Sequence, residues 1–158
     1  MNKITFILAV SLLFNCVGNA QDTSKERKIY KVEKTDSEWK NLLSSLQYSV
    51  LREAGTERPF TSELNDNKKK GTYVCAACKT NLYESKHKFD SGTGWPSFDR
   101  AVKGNVELDV DYKLGYARKE LKCNTCGGHL GHSFDDGPKT TGKRHCINGA
   151  ALEFVAEK

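Results

Sequence analysis

Six cysteines carry most of the chemistry that this 158-residue sequence could perform. Four form two matched pairs, Cys75-Ala-Ala-Cys78 and Cys123-Asn-Thr-Cys126. One of the others, Cys146, stands apart from every pair in the closing stretch TGKRHCINGAALEF. Two residues between thiolates let a single turn aim both sulfurs at one metal. Two such knuckles supply the four sulfurs of a closed, tetrahedral zinc site. Gly127 and Gly128, just after the second knuckle, allow the tight backbone such a turn needs. Two other readings stand beside zinc: a redox CxxC pair and structural disulfides in an exported chain. Duplication with matched spacing favours the metal, clipping together two distant parts of a sheet.

Cys146 is not explained by that site. A free thiol titrates at about pH 8.5, so a nucleophilic cysteine needs positive charge or donors close by. Arg144 and His145 precede it, and Ile147 and Asn148 follow. On a strand, alternate residues share a face, so Arg144, Cys146 and Asn148 point one way and His145 the other. Arg144 can then stabilise a thiolate, and Asn148 can orient it or donate a hydrogen bond. The plainer reading is a small buried core cysteine beside a surface arginine.

Two further stretches could complete a reactive site. GGHLGHSFDDGP places His129 and His132 three apart among glycines, directly after the second knuckle. Histidines held in this way are candidates for acid chemistry rather than ordinary surface residues. FDSGTGWPSF sets Trp95 and Phe98 on a loop stiffened by Pro96. Core aromatics are the simple account. An exposed aromatic floor would instead hold a small apolar group such as a methyl.

Elements must bring these pieces together. Asp36 or Ser37 can cap a helix carrying Trp39, Leu42, Leu43 and Leu46 at helical spacing. A second short helix runs through Tyr48, Val50, Leu51 and Ala54 and stops at Gly55. From Gly71 onward the pattern changes. TYVCAAC looks like a strand entering a knuckle, and Val106, Leu108, Val110 and Tyr112 alternate with acids at a period of two. The expected fold is mainly β with a small helical lead-in.

The first twenty residues read as a secretory signal peptide: Lys3, an apolar run from Ile4 to Phe14, then small residues before a cut ahead of Gln21. Cys16 raises the alternative of a lipid anchor. Removing residues 1–20 deletes one lysine and no acid, so the formal charge falls from +5 to +4. Residues 21–35 read as a polar tail and 36–158 as one domain. No later segment is apolar enough to span a membrane. The Lys68–Lys70 run reads as a solvated loop, and no nucleic-acid partner is expected.

The stretches GTERPFT, YVCAAC, FDSGTGWPSF, CNTCGGHLGHSFDDGP and RHCINGAALEF run in order across nearly the whole domain. Together they resemble the methionine-R-sulfoxide reductase family, B type. The resemblance implies reduction of the R epimer of methionine sulfoxide, in oxidised proteins or free. It implies Cys146 as nucleophile, with Arg144 two residues before it. His129, His132 and Asn148 match the family's polar site residues, and Trp95 its methyl-binding aromatic. Cys75, Cys78, Cys123 and Cys126 match its ligands for one structural zinc per chain. The implied fold is two antiparallel sheets with short N-terminal helices outside. In the implied chemistry thiolate Cys146 attacks sulfur, a histidine (His132 by preference) protonates the oxygen, and a sulfenic acid remains on Cys146.

One position departs from the pattern. Many family members place a resolving cysteine where this chain has Thr93. A one-cysteine cycle is therefore expected, with the sulfenic acid resolved by a thioredoxin-like protein or a small thiol. Two rivals remain: a non-enzymatic zinc-stabilised binding module with an inert buried Cys146, and a thiol–disulfide oxidoreductase using a CxxC pair.

Overall fold

The computed structural model describes residues 28–158. The expected leader, Cys16 and the first part of the polar tail lie outside the described residues.

Two short helices open the domain. Helix α1 (Asp36–Leu42) is capped by Thr35, not by Asp36 or Ser37. The reason is a capping box: the Thr35 hydroxyl accepts from the Glu38 N–H, and the Glu38 carboxylate accepts from the Thr35 N–H at 2.7 Å. A second box, Ser44 with Gln47, starts α2 (Ser45–Glu53) only two residues after α1 ends. The leucines expected on one helix are thus divided between two. Leu43 is buried, whereas Leu42 and Leu46 are 53% and 51% exposed. Trp39, Tyr48, Val50 and Leu51 form the buried faces, and α2 packs on the strand that carries both site histidines. The α2 cap, Ala54, has a left-handed backbone, and Gly55 N–H closes onto Ser49 O.

Nine strands follow, all antiparallel where they pair: β1 (Gly71–Cys75), β2 (Asn81–Glu84), β3 (Lys88–Phe89), β4 (Ser97–Phe98), β5 (Val106–Asp111), β6 (Arg118–Cys123), β7 (His129–Phe134), β8 (Arg144–Ile147) and β9 (Leu152–Ala156). They make a three-stranded sheet, β2-β1-β9, and a six-stranded sheet, β3-β4-β8-β7-β6-β5. The fold is mainly β, in two antiparallel sheets with two short helices, as expected. Tyr73, Leu82, Tyr83, Phe98, Leu121, Leu130 and Ile147 are almost wholly buried and form the core. Among the described residues no helix is long and apolar enough to cross a membrane.

Strand β5 obeys its period of two with an unexpected polarity. Leu108 and Val110 are 64% and 51% exposed, while the acids between them are engaged. Glu107 accepts from the Tyr30 hydroxyl at 2.6 Å, Asp109 pairs with Lys122, and Asp111 with Arg118. β5 is the edge of its sheet; Val106 at its start packs against the core, and the apolar residues after it are exposed. Residues 28–35, the described part of the polar tail, are held down as well. Val32 N–H donates to Thr125 O at 2.9 Å, and the Tyr30 ring fills the space where a Cβ on Gly127 would sit, 2.5 Å away.

Candidate active site and metal centre

The four paired cysteines converge. Their sulfurs all lie within 4.8 Å of one another, with Cys75–Cys126 at 3.8 Å and Cys78–Cys123 at 3.5 Å. Tetrahedral Zn–S bonds of about 2.3 Å require sulfurs about 3.8 Å apart, so the set fits such an ion. None of the described cysteines is in a disulfide. Cys75 ends β1 and Cys123 ends β6, so the cluster joins two different sheets. The expectation that it clips parts of one sheet is corrected on this point.

Cys146 lies on β8, half-buried, with its neighbours arranged by strand alternation. His145 faces the core, its Nδ1 3.3 Å from the Tyr83 hydroxyl. Arg144 shares the Cys146 face and is itself buried. Asp136 holds its guanidinium bidentately, with Nε at 2.8 Å and the second nitrogen at 2.9 Å. Burial pushes the Cys146 thiol above its ordinary value, while the Arg144 charge and a hydrogen bond from Thr93 pull it down. Burial is the larger effect here, so Arg144 limits the rise without overcoming it.

Across the ladder, His132 on β7 sits directly opposite Cys146. Gly131 permits the close approach, since a Cβ there would lie 2.0 Å from the Cys146 carbonyl oxygen. The His132 Nε2 is bonded to Asp111, which also accepts from Arg118. Burial lowers the His132 pKa, and Asp111 opposes it. Burial alone would raise Asp111, but its bonds to His132, the Lys113 N–H and Arg118 bring it down to about 2. The Asp111 carboxylate accepts from the His132 Nε2 and supports a proton on that nitrogen. The His129 ring lies 5.2 Å from that of His132, with Nδ1 2.6 Å from Glu120. Its Nε2 is buried without a hydrogen-bond partner. Such a nitrogen is costly unless something else fills the site.

On the other side of Cys146, β4 places the buried Ser97 opposite it. A chain of hydroxyls connects Ser97 to Ser91 at 2.7 Å, Ser91 to Thr93 at 2.8 Å, and Thr93 to the Cys146 sulfur at 3.9 Å. Thr93 therefore stands beside the sulfur.

Not every expected residue arrives at the site. Phe98 pairs with His145, not with Cys146, and is fully buried, stacked on Tyr83 with ring centroids 4.3 Å apart. It belongs to the core, so the expectation that Phe98 lies on an exposed aromatic floor is corrected. Asn148 makes its side-chain hydrogen bonds away from the thiol. Its Nδ2 donates to Leu130 O at 3.0 Å, and its Oδ1 accepts from Glu57 N–H at 3.0 Å. It orients the loop after β8. Trp95 is partly exposed and donates its indole N–H to Glu57 O at 3.2 Å. Beside it, Phe60 is 69% exposed with φ 64°, its N–H bonded to Gly94 O at 2.7 Å. A positive φ on an aromatic residue is strained, and such strain gathers at binding sites.

The sequence reading missed Asp111, Glu120, Asp136, Glu57 and Phe60. The first three are strand or loop acids of the kind that normally face water. The only signal for the last two was the GTERPFT stretch.

A family model described as the SelR domain matches residues 43–156. The chain belongs to this family, the B-type methionine-R-sulfoxide reductases. It is 52% identical over 129 residues to "Peptide methionine sulfoxide reductase MsrB" of Leptospira interrogans, covering 81% of this chain and 98% of that one. It is similarly 52% identical over 128 residues to the MsrB of Methanosarcina barkeri, covering 80% and 90%. "Peptide methionine sulfoxide reductase B1, chloroplastic" of Arabidopsis thaliana is 42% identical over 154 residues, covering 93% and 76%. The family match at residues 43–156 thus takes in both cysteine knuckles and Cys146.

Proposed function

We propose that this chain reduces the R epimer of methionine sulfoxide, in oxidised proteins or free, with Cys146 as nucleophile. The observation that carries the reading is the cross-strand pair of Cys146 and His132, with Arg144 on the same face and Thr93 at the sulfur. The relatives' printed names support the substrate class.

The Cys146 thiolate attacks the electrophilic sulfoxide sulfur while a histidine protonates the departing oxygen. Trp95 holds the S-methyl group. His132 is the acid of first choice, and His129, whose Nε2 lacks a hydrogen-bond partner, is the second. The protonated oxygen passes from the substrate sulfur to the Cys146 sulfur as the transient S–S bond breaks, so methionine leaves with that bond's electron pair and Cys146 keeps the oxygen as a sulfenic acid. One external thiol displaces it as water and forms a mixed disulfide. A second thiol frees Cys146 and leaves as the oxidised disulfide. The net change is sulfoxide plus two thiols to thioether, disulfide and water. A thioredoxin-like protein or a small thiol supplies these electrons, since Thr93 occupies the position of the resolving cysteine.

Cys75, Cys78, Cys123 and Cys126 would hold one zinc ion, which contributes structure and takes no part in the redox steps. Residues 1–20 direct export, with cleavage before Gln21. N-terminal mass spectrometry after cell fractionation tests this. An intact Met1 on cytosolic protein overturns it, and a lipid on Cys16 replaces it with an anchored form.

The activity is tested by turnover of separated R and S epimers, free and in a peptide. Reduction of R alone, abolished by Cys146→Ser with fold and zinc content intact, is expected. Turnover by Cys146→Ser would leave a knuckle oxidoreductase in its place, and a wild-type chain inactive on both epimers would leave the binding module with an inert Cys146.

A further inference from the structure

Glu57 lies in a loop, yet only 5% of its surface is exposed. A buried carboxylate is costly unless its oxygens are bonded. Both are: Gly149 N–H donates to Oε1, and Ala150 N–H donates to Oε2 at 2.8 Å. These two amides open the 3-10 turn Gly149–Ala151 that follows the Cys146 strand, where a helical turn leaves its N–H groups unpartnered. The Glu57 backbone reaches two other parts of the site. Its N–H donates to the Asn148 side chain at 3.0 Å, and its C=O accepts the Trp95 indole N–H at 3.2 Å.

We infer that Glu57 is a positioning residue that fixes the Trp95 ring relative to the Cys146 sulfur, and so sets how closely the site fits an S-methyl group. The inference rests on Trp95 and Cys146 acting as proposed above. The mechanism is reach rather than charge. The side chain spans the two amides after the nucleophile while its backbone holds the aromatic ring, so a shift of either is passed to the other. The charged groups acting on the thiol are Arg144 and Asp136, not Glu57.

Glu57→Gln keeps the size but turns an amide NH2 toward one of the two N–H donors, so one bond is lost and donor faces donor. Three results are expected. Hydrogen exchange of the Trp95 indole N–H and of the Gly149 and Ala150 amides speeds up together, while the Trp39 indole N–H, in α1, is unchanged. The kcat/KM for methionine-R-sulfoxide falls about 10- to 100-fold. The S-ethyl analogue loses less, so the methyl-over-ethyl preference narrows, and the pH dependence of Cys146 alkylation stays as in the wild type. Glu57→Asp keeps the charge but is too short to span both amides, and it should be equally impaired. Wild-type preference in Glu57→Gln, or full activity in Glu57→Asp, overturns the inference. The wild-type protein gives a test that needs no variant. The indole N–H and the two amides should share one opening free energy, as a single cooperative unit, and unrelated exchange rates overturn the inference. The exchange readouts need no substrate, so they hold or fail independently of the proposed reaction. A wild-type chain inactive on both epimers would defeat that reaction instead.

Discussion

Arg144 and Asp136 act on Cys146 with opposite signs, and this gives the residue scale its sharpest prediction. The arginine charge lowers the thiol pKa and the aspartate raises it, against a background of burial that pushes it up. Replacing Arg144 by Leu should move the rise of Cys146 alkylation with pH to higher pH. Asp136→Asn should move it to lower pH, because the guanidinium charge is then less neutralised. Alkylation rates measured across pH on zinc-loaded protein would check both, and shifts of the same sign would show that the arginine acts only by packing. Much of this was legible in the sequence. Arg144 and Cys146 on one face and His145 on the other follow from strand alternation alone. The acids that hold the basic groups were not legible. Asp111, Glu120 and Asp136 sit 21, 9 and 8 positions from their partners His132, His129 and Arg144, and only the sheet register brings them together. Phe98 misled for the same reason, since the phase of a two-residue strand cannot be read from a loop-like stretch.

Stability and activity separate cleanly between elements. Ser44 caps α2 outside the site, so Ser44→Ala should cost about 1 kcal/mol and leave kcat unchanged. Gly131 lies where β7 meets β8, and Gly131→Ala would set a Cβ 2.0 Å from the Cys146 carbonyl oxygen. Backbone cannot step aside as a flexible side chain can, so the variant should lose about 1–3 kcal/mol and also most of its turnover. Melting curves and initial rates on the two variants check the contrast, and an active Gly131→Ala would mean that the two strands can part without displacing the nucleophile. The helices were visible from their apolar spacing, but their boundaries were set by Thr35–Glu38 and Ser44–Gln47, two capping boxes that outweigh the continuous leucine pattern. In β5 the period of two was legible, but not which of its faces is exposed. Periodicity reports that a strand has two faces, while what packs on each face decides which of them meets water.

At the scale of the molecule, the cysteine cluster ties the three-stranded sheet to the six-stranded one. Structural zinc is worth roughly 10–16 kcal/mol in small peptides, which is comparable to the stability of a whole domain. Cys123→Ser should therefore release the metal and sharply lower the melting temperature; a metal-free variant with wild-type melting would remove the structural role. The four-cysteine cluster was legible because knuckle spacing is local, whereas the joining of two sheets needed the topology. Beyond Met1 the sequence has no methionine, so the domain carries no thioether of its own to be oxidised, and its products can be counted without a background. The central claim is one-cysteine reduction at Cys146, and a single turnover with the R epimer and no reductant tests it most directly. One methionine per chain, Cys146 trapped by a sulfenic-acid reagent, and zinc still bound is the predicted result. A disulfide between Cys146 and Cys75, Cys78, Cys123 or Cys126, with zinc released, would contradict it.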